Sequence, residues 1–255
     1  MKLIISEKPS TARTIAHAVG AREKIYGEGK EYCYKGNDFY VVNARGHLYG
    51  LGMPQDYGYS KTYNMDELPM FPEFELFPAD ENTEDLRNLI SSLINRNDVN
   101  ELICATDAGR EGELIFRLVY EQAECQKPMK RLWISSMEEQ AIKDGFASLK
   151  DGSCYDSLYQ SALCRAKADW LVGINASRLF SVLYNQNLKV GRVQTPTLAM
   201  IVDRNQKIKE FTKEKYYMAH IKFDDMDAGT ENFQKKEDAD KVAEDCLERM
   251  CEVEK

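Results

Sequence analysis

The sequence predicts an α/β fold, in which a parallel sheet with covering helices is followed by a mainly helical segment and the start of a β-containing one. Three observations support this prediction. Short apolar runs alternate with helical patterns up to about residue 150, two helical patterns follow, and a β-like run begins near residue 216. The 255 residues suffice for one large or two modest domains. We therefore divide the chain into residues 1–150, 151–212 and 213–255.

The first segment contains four runs of strand length and four amphipathic helical patterns. Strands are expected at residues 3–5, 39–42, 102–105 and 131–134, and helices at 12–19, 84–94, 113–122 and 138–149. Proline and glycine recur between residues 51 and 80, which predicts a long surface loop and no site. Residues 150–153 read as a linker, and an amphipathic helix is expected at 237–250.

The charge is distributed unevenly along the chain, although its net value is −8. Residues 1–154 carry 18 basic and 25 acidic side chains, residues 155–215 carry 10 and 5, and residues 216–255 carry 6 and 12. A basic segment beside an acidic one suits a groove that follows phosphates. Taken alone, however, the asymmetry is more simply explained by a solvated helix face.

Several protein classes are disfavoured by composition. No apolar stretch approaches the ~20 residues that cross a bilayer, and the N-terminal run is too short for a signal peptide, so no membrane association is expected. The seven cysteines include no CxxC pair, which argues against a zinc site and for reduced thiols in a cytosol. We therefore expect a cytoplasmic protein.

Acidic residues follow two of the predicted strands. Glu7 and Lys8 follow the first, and Asp107, Glu111 and Glu113 follow the third, where a helix begins. The carboxyl ends of parallel strands are where α/β sheets gather ligands, and carboxylates suit Mg²⁺. Glu7 could handle a proton or a metal, and Lys8 could hold a phosphate. The alternative is that Asp107 caps the helix while the two glutamates complement its dipole.

Three motifs of the first segment resemble the Toprim domain of type IA DNA topoisomerases. They are Ser6-Glu7-Lys8-Pro9-Ser10, Gly46-His47-Leu48 and the stretch from Asp107 to Glu113. Two later motifs resemble the helical segment that follows it in the bacterial topoisomerase III branch. They are Ala166-Lys167-Ala168-Asp169-Trp170-Leu171-Val172-Gly173-Ile174-Asn175 and Gly191-Arg192-Val193-Gln194-Thr195-Pro196. The resemblance covers residues 1–215. Primases and some nucleases share the Toprim pattern, but they have no reason to carry Gly191-Arg192-Val193-Gln194-Thr195-Pro196.

The resemblance implies an enzyme that cuts and rejoins single DNA strands through a 5′-phosphotyrosine, with Mg²⁺ as cofactor. It implies that Glu7 acts as general acid and metal ligand, that Lys8 steadies the scissile phosphate, and that Asp107 and Glu111 hold Mg²⁺. The positions that it places near a single-strand groove are His47, Arg110, Arg165, Asp169, Arg178, Arg192 and Gln194. An exposed helix arginine explains Arg110 nearly as well, and a lone histidine such as His47 is more often structural.

Two departures from the family pattern limit these expectations. The family motif is usually Asp-x-Asp-x-Glu, and in this sequence Gly109 stands where the middle aspartate is expected. The loss of that carboxylate favours weaker binding of one Mg²⁺ over two-metal binding. Glu113 could compensate, but its position on the helix points it elsewhere. None of the 14 tyrosines lies in the Tyr-x-Arg-Thr-Asp-Ser type motif that carries the nucleophile. We therefore expect an N-terminal piece that is inactive alone and ends within the β-rich gate domain.

The expected partner is single-stranded DNA or unpaired regions of duplex DNA. By resemblance, the full-length enzyme is expected to be a monomer of the bacterial cytoplasm with a helicase as a further partner. Two alternatives belong to other classes: a Toprim primase or nuclease, and a non-catalytic fragment that binds single-stranded DNA. Nucleotide polymerisation would identify a primase, and nicking without rejoining would identify a nuclease.

Overall fold

The computed structural model describes residues 1–27, 29–223 and 225–247. It consists of two compact units, Met1–Thr195 and Pro196–Lys255. In chain order, the elements that begin in the first unit are β1 (Lys2–Ser6), α1 (Pro9–Ala18), β2 (Glu23–Tyr26), β3 (Tyr32–Lys35), β4 (Phe39–Asn43), β5 (Tyr49–Leu51), β6 (Leu76–Pro78), α2 (Glu84–Ile94), β7 (Glu101–Ala105), α3 (Arg110–Gln122), β8 (Met129–Arg131), α4 (Glu139–Ala147), β9 (Lys150–Asp151), α5 (Asp156–Tyr184) and α6 (Gln194–Lys209).

A seven-stranded sheet forms the centre of the first unit, in the order β2-β3-β4-β1-β7-β8-β9. The strands β4, β1, β7 and β8 are parallel, and β2, β3 and β9 pair antiparallel at the edges. Both faces of β1 are buried, because Ile4 packs with α1 and α4 while Leu3 and Ile5 pack with α2 and α3. Continuous apolar runs such as 3–5 are typical of parallel strands covered on both faces.

The predicted fold class is confirmed, with one strand placed wrongly. The run 131–134 was expected to form a strand, but β8 is Met129–Arg131 and the chain leaves the sheet after it. The reason lies in the neighbouring strand. The Leu132 N–H makes a last hydrogen bond to the Cys104 carbonyl, and β7 ends one residue later at Ala105. Beyond that point, no parallel partner is left for residues 133–134.

The stretch 51–80 is more than the surface loop that was expected. Its ends pair as β5 and β6 in a two-stranded antiparallel sheet, and Met70 is fully buried. Trp170 of α5 meets Tyr57 and Phe74 edge-to-face at 5.7 and 5.4 Å, and its indole N–H donates to the Gly52 carbonyl at 2.7 Å. The aromatic side chains of this stretch supply apolar surface that α5 covers, which is why it is ordered by packing despite its prolines.

The second unit continues α6 and adds a hairpin and a helix. Strands β10 (His220–Phe223) and β11 (Met226–Gly229) pair antiparallel, and α7 spans Lys236–Leu247. This agrees with the β-like run and the helix expected from the sequence, although positions 248–250 of that helix lie outside the described residues. Within the part of the chain that the structure describes, no helix combines the length and the apolar character needed to cross a bilayer.

Candidate active site and nucleic-acid groove

The ends of β1 and β7 bring Glu7 and Asp107 to one edge of the sheet. The two strands are parallel neighbours with Ser6 level with Ala105, so the residues that follow them emerge side by side. Lys8 lies between the two acids: its Nζ is 2.7 Å from Asp107 Oδ2 and 3.7 Å from Glu7 Oε1. The structure thus assembles an acid–lysine–acid group at the edge where the sequence predicted it.

Solvent exposure distinguishes the three side chains. Glu7 is 17% exposed, whereas Lys8 and Asp107 are 54% and 48% exposed. The hydrogen bond to Asp107, together with the charges of both carboxylates, raises the pKa of Lys8. The ammonium therefore stays charged, and it lies on the solvent side of the group, where an incoming phosphate could replace Asp107 as its partner.

The loop between β7 and α3, which we call the acid loop (residues 106–109), is held by a close backbone approach. A Cβ at Gly112 would lie 2.1 Å from the Asp107 carbonyl oxygen, so only glycine fits there. The Thr106 hydroxyl donates to the Gly112 carbonyl at 2.7 Å. Asp107 does not cap α3, because the helix starts after Gly109 without a side-chain cap. The capping alternative for Asp107 is therefore wrong.

Glu111 faces a cleft of about 340 Å³ with cationic and apolar walls. Its Oε2 is 3.8 Å from His47 Nε2, and its Oε1 is 3.4 Å from Arg165 Nη1. Leu114 and Leu163 contribute to the apolar wall. The structure therefore brings His47 and Arg165 next to Glu111.

Asp169 links two arginines along the same surface. It accepts two hydrogen bonds from Arg192, at 2.6 Å from Nε and 3.3 Å from Nη2, and its Oδ2 is 3.6 Å from Arg165 Nε. The hydrogen bond from Arg192 lowers the pKa of Asp169. A shallow groove beside this trio includes Arg110, the first residue of α3. Gln194 is exposed at the start of α6.

Arg178 does not lie in this groove, in contrast to its predicted role. It is only 3% exposed, and its Nη2 donates to the Ser60 carbonyl at 2.8 Å. Its Nη1 is 3.5 Å from Glu67 Oε2, and its guanidinium lies 5.0 Å from the Tyr63 ring centre. The guanidinium is used internally to hold the 51–80 stretch against α5. The structure thus gives no support to a phosphate contact by Arg178.

Glu113 is also turned away from the groove and lies in the protein interior. It is 1% exposed and pairs with two buried arginines, at 2.9 Å from Arg117 Nε and 3.1 Å from Arg131 Nε, so it does not replace the carboxylate missing at Gly109. Sequence reasoning missed both arginines. One signal in the sequence could have indicated a buried arginine at position 131: Arg131 is a charged residue in the apolar run that we expected to form a strand.

The donor atoms fit Mg²⁺ only in part. Among the described residues, no three His, Cys, Asp or Glu side chains form a group that could hold a metal. The exposed carboxylates of Asp107 and Glu111 are the right kind of donor, but each faces a cation, Lys8 and Arg165 respectively. Mg²⁺ usually takes one or two carboxylates together with waters and substrate phosphates. The residues therefore suit an ion that is shared with a substrate phosphate, and not a preformed cage.

Comparison with known proteins agrees with this architecture. The family model of the Toprim domain matches residues 2–137, and a model described as DNA topoisomerase matches residues 153–255. The chain therefore belongs to the Toprim domain family. Its two matched segments stand in the order that the sequence motifs predicted.

Among its relatives are bacterial proteins named DNA topoisomerase 3. That of Shouchella clausii is 44% identical over 88% of this chain, and that of Staphylococcus epidermidis is 43% identical over 88%. The chain spans 30% and 31% of their lengths. The full-length topoisomerase I of Thermotoga maritima has the same fold, with a TM-score of 0.60 at 23% identity over 94% of this chain and 37% of that one. The predicted resemblance to the bacterial topoisomerase III branch is confirmed.

Proposed function

We propose that this chain supplies the acidic half of the active site, and part of the single-strand groove, of a type IA DNA topoisomerase of the topoisomerase III branch. The observation that carries the proposal is the contact of Lys8 with both Glu7 and Asp107. Two arginines support it: Arg165 lines the cleft at Glu111, and Arg192, paired with Asp169, lines the adjoining shallow groove.

The proposed reaction is a reversible transesterification. A tyrosine hydroxyl gives up its proton to water and its oxygen bonds to the scissile phosphorus, the bond from phosphorus to the 3′ oxygen breaks, and Glu7 gives the 3′ oxygen a proton. Lys8 exchanges Asp107 for a phosphate oxygen and neutralises its charge. Bound Mg²⁺, held by Asp107 and Glu111, would supply further charge stabilisation at the phosphate. The phosphotyrosine retains the bond energy, so the strand can be rejoined.

The tyrosine is proposed to come from another part of a longer protein, since the nucleophile motif is absent from these 255 residues. The chain alone should therefore form no denaturation-resistant adduct with a single-stranded oligonucleotide, and the full-length protein should form one. An adduct formed by the chain alone would contradict this assignment. Nicking without rejoining by the full-length protein would instead favour a Toprim nuclease.

The metal assignment has a separate test. Calorimetric titration of the chain with Mg²⁺ should show binding that Asp107→Ala removes and that Gly109→Asp strengthens, because the latter adds a carboxylate in open space. Asp144→Ala, at an exposed site on α4, serves as the matched control and should change nothing. Equal binding by Asp107→Ala and the control would show that Asp107 is no metal ligand. The monomeric state, the helicase partner and the cytoplasmic location remain predictions.

A further inference from the structure

Arg131 is the most deeply buried cation of the described residues, and it lies directly beneath the acid loop. It is the last residue of β8, it pairs in register with Cys104 of β7, and it is 1% exposed. An arginine is rarely fully buried unless its charge and its donors are matched. Its position at the carboxyl end of the sheet requires an explanation that a packing role alone does not give.

The guanidinium binds backbone carbonyls on both sides of the strand end. Its Nη1 donates to the carbonyls of Cys104, Thr106 and Leu132 at 3.1, 2.8 and 3.1 Å, and its Nη2 donates to the carbonyl of Asp107 at 2.7 Å. The Cys104 carbonyl also accepts the last strand hydrogen bond, from the Leu132 N–H. The Thr106 and Asp107 carbonyls follow the end of β7, and there the planar fork takes the place of a missing strand. The backbone of Asp107 is thereby tied to the core of the sheet.

A single buried carboxylate balances this charge. Glu113 Oε2 lies 3.1 Å from Arg131 Nε, as an ion pair without hydrogen-bond alignment. Glu113 Oε1 accepts a hydrogen bond from Arg117, whose Nη2 donates to Asp156 Oδ1 at 2.6 Å and to the Gly152 carbonyl at 2.7 Å. Arg117 thus shares the counter-ion of Arg131 but binds the start of α5 and not the acid loop.

We propose that Arg131 is a positioning residue: its guanidinium fixes the acid loop so that the Asp107 carboxylate is held at the sheet edge beside Lys8. This inference rests on the proposed function, because it assigns the purpose of the fixed loop to the site at Asp107. Lysine would keep the charge but lose the fork that reaches four carbonyls at once, so Arg131→Lys isolates the geometry from the charge.

The test measures backbone exchange without any metal. In Arg131→Lys, amide hydrogens of residues 105–112 should exchange about 10-fold faster, since charge-assisted hydrogen bonds to this loop are lost. Arg117→Lys is the matched control, because it disturbs the same carboxylate. In Arg117→Lys, the amide hydrogens of residues 152–156 should exchange faster, and those of residues 105–112 should exchange as in the unsubstituted chain. Equal exchange of residues 105–112 in the two variants would overturn the proposal.

A second readout links the loop to the site. Arg131→Lys should weaken Mg²⁺ binding by the chain about 10-fold, the lower end of losses seen when groups supporting a ligand are changed, while Arg117→Lys should leave it unaltered. Loss of Mg²⁺ binding in Asp107→Ala but full Mg²⁺ binding in Arg131→Lys would refute the inference and leave the proposed function standing.

If Arg131→Lys does not fold, nuclear magnetic resonance of the unsubstituted chain decides. On Mg²⁺ addition, the guanidinium signals of Arg131 should shift and those of Arg117 should not, and an unmoved Arg131 would overturn the proposal.

Discussion

Replacement of Gly112 by alanine separates two opposing effects in the first turn of α3. Helix propensity alone favours the change, since alanine is better than glycine in a helix by about 1 kcal/mol. Sterics oppose it, because the new Cβ would lie 2.1 Å from the Asp107 carbonyl oxygen, where real Cβ atoms stay beyond 3.0 Å. The oxygen would have to move by about 0.9 Å, and it is held by Arg131 at 2.7 Å.

The steric effect should dominate. Overpacking costs about 1–3 kcal/mol, and a fixed backbone atom places Gly112→Ala at the upper end of that range, so that about 2 kcal/mol of destabilisation remains after the propensity gain. In a unit of this size, spanning Met1–Thr195, that corresponds to a fall in Tm of about 4–8 °C. Thermal and urea unfolding, followed by circular dichroism, would measure both quantities.

Gly109→Ala provides the matched control three residues earlier. A Cβ there would meet nothing within 4 Å, and the backbone is extended. This variant should be neutral or more stable by up to about 1 kcal/mol, because alanine restricts the unfolded chain. If Gly112→Ala were as stable as Gly109→Ala, the close approach of α3 to the acid loop would be refuted.

The other predictions concern the groove and the thiols. Arg192→Ala should weaken binding to single-stranded DNA and flatten, by roughly 0.7, the slope of log binding constant against log salt concentration. Neutralising Lys235 should do little, and equal effects of the two changes in filter-binding titrations would contradict the groove assignment. Arg178→Ala should lower the free energy of unfolding by about 1–3 kcal/mol, because it removes the ion pair with Glu67 and the hydrogen bond to the Ser60 carbonyl, while the salt dependence of DNA binding stays unchanged. Among the described residues, the two exposed cysteines should react quickly in a native thiol-labelling assay and the three buried ones slowly, since burial raises the pKa of two of the buried thiols to about 11; rapid labelling of the buried set would contradict the core packing. The exposed pair is Cys154 and Cys164, the buried set is Cys33, Cys104 and Cys125, and the raised pKa values are those of Cys33 and Cys104.

The central part of the fold could be predicted because its signal is local. The runs at 3–5 and 102–105 are apolar on both faces and end in acids, and that pattern specifies buried parallel strands whose ends share an edge. The edge strands β2, β3 and β9 were not predicted. Their residues are mixed in polarity, as in Tyr32–Lys35, and an edge strand exists only because a neighbour offers its hydrogen bonds.

The candidate site divides in the same way. The sequence by itself determined which residues follow the strands, and therefore that Glu7, Lys8 and Asp107 meet at one edge. Only the tertiary structure decided what each charge faces, because ion pairs form between residues distant in the chain. It turned Arg178 and Glu113 inward, paired Arg192 with Asp169, and placed Arg131 under the acid loop. No local pattern carries that information, since the same arginine can serve a phosphate or a carbonyl according to what packs around it.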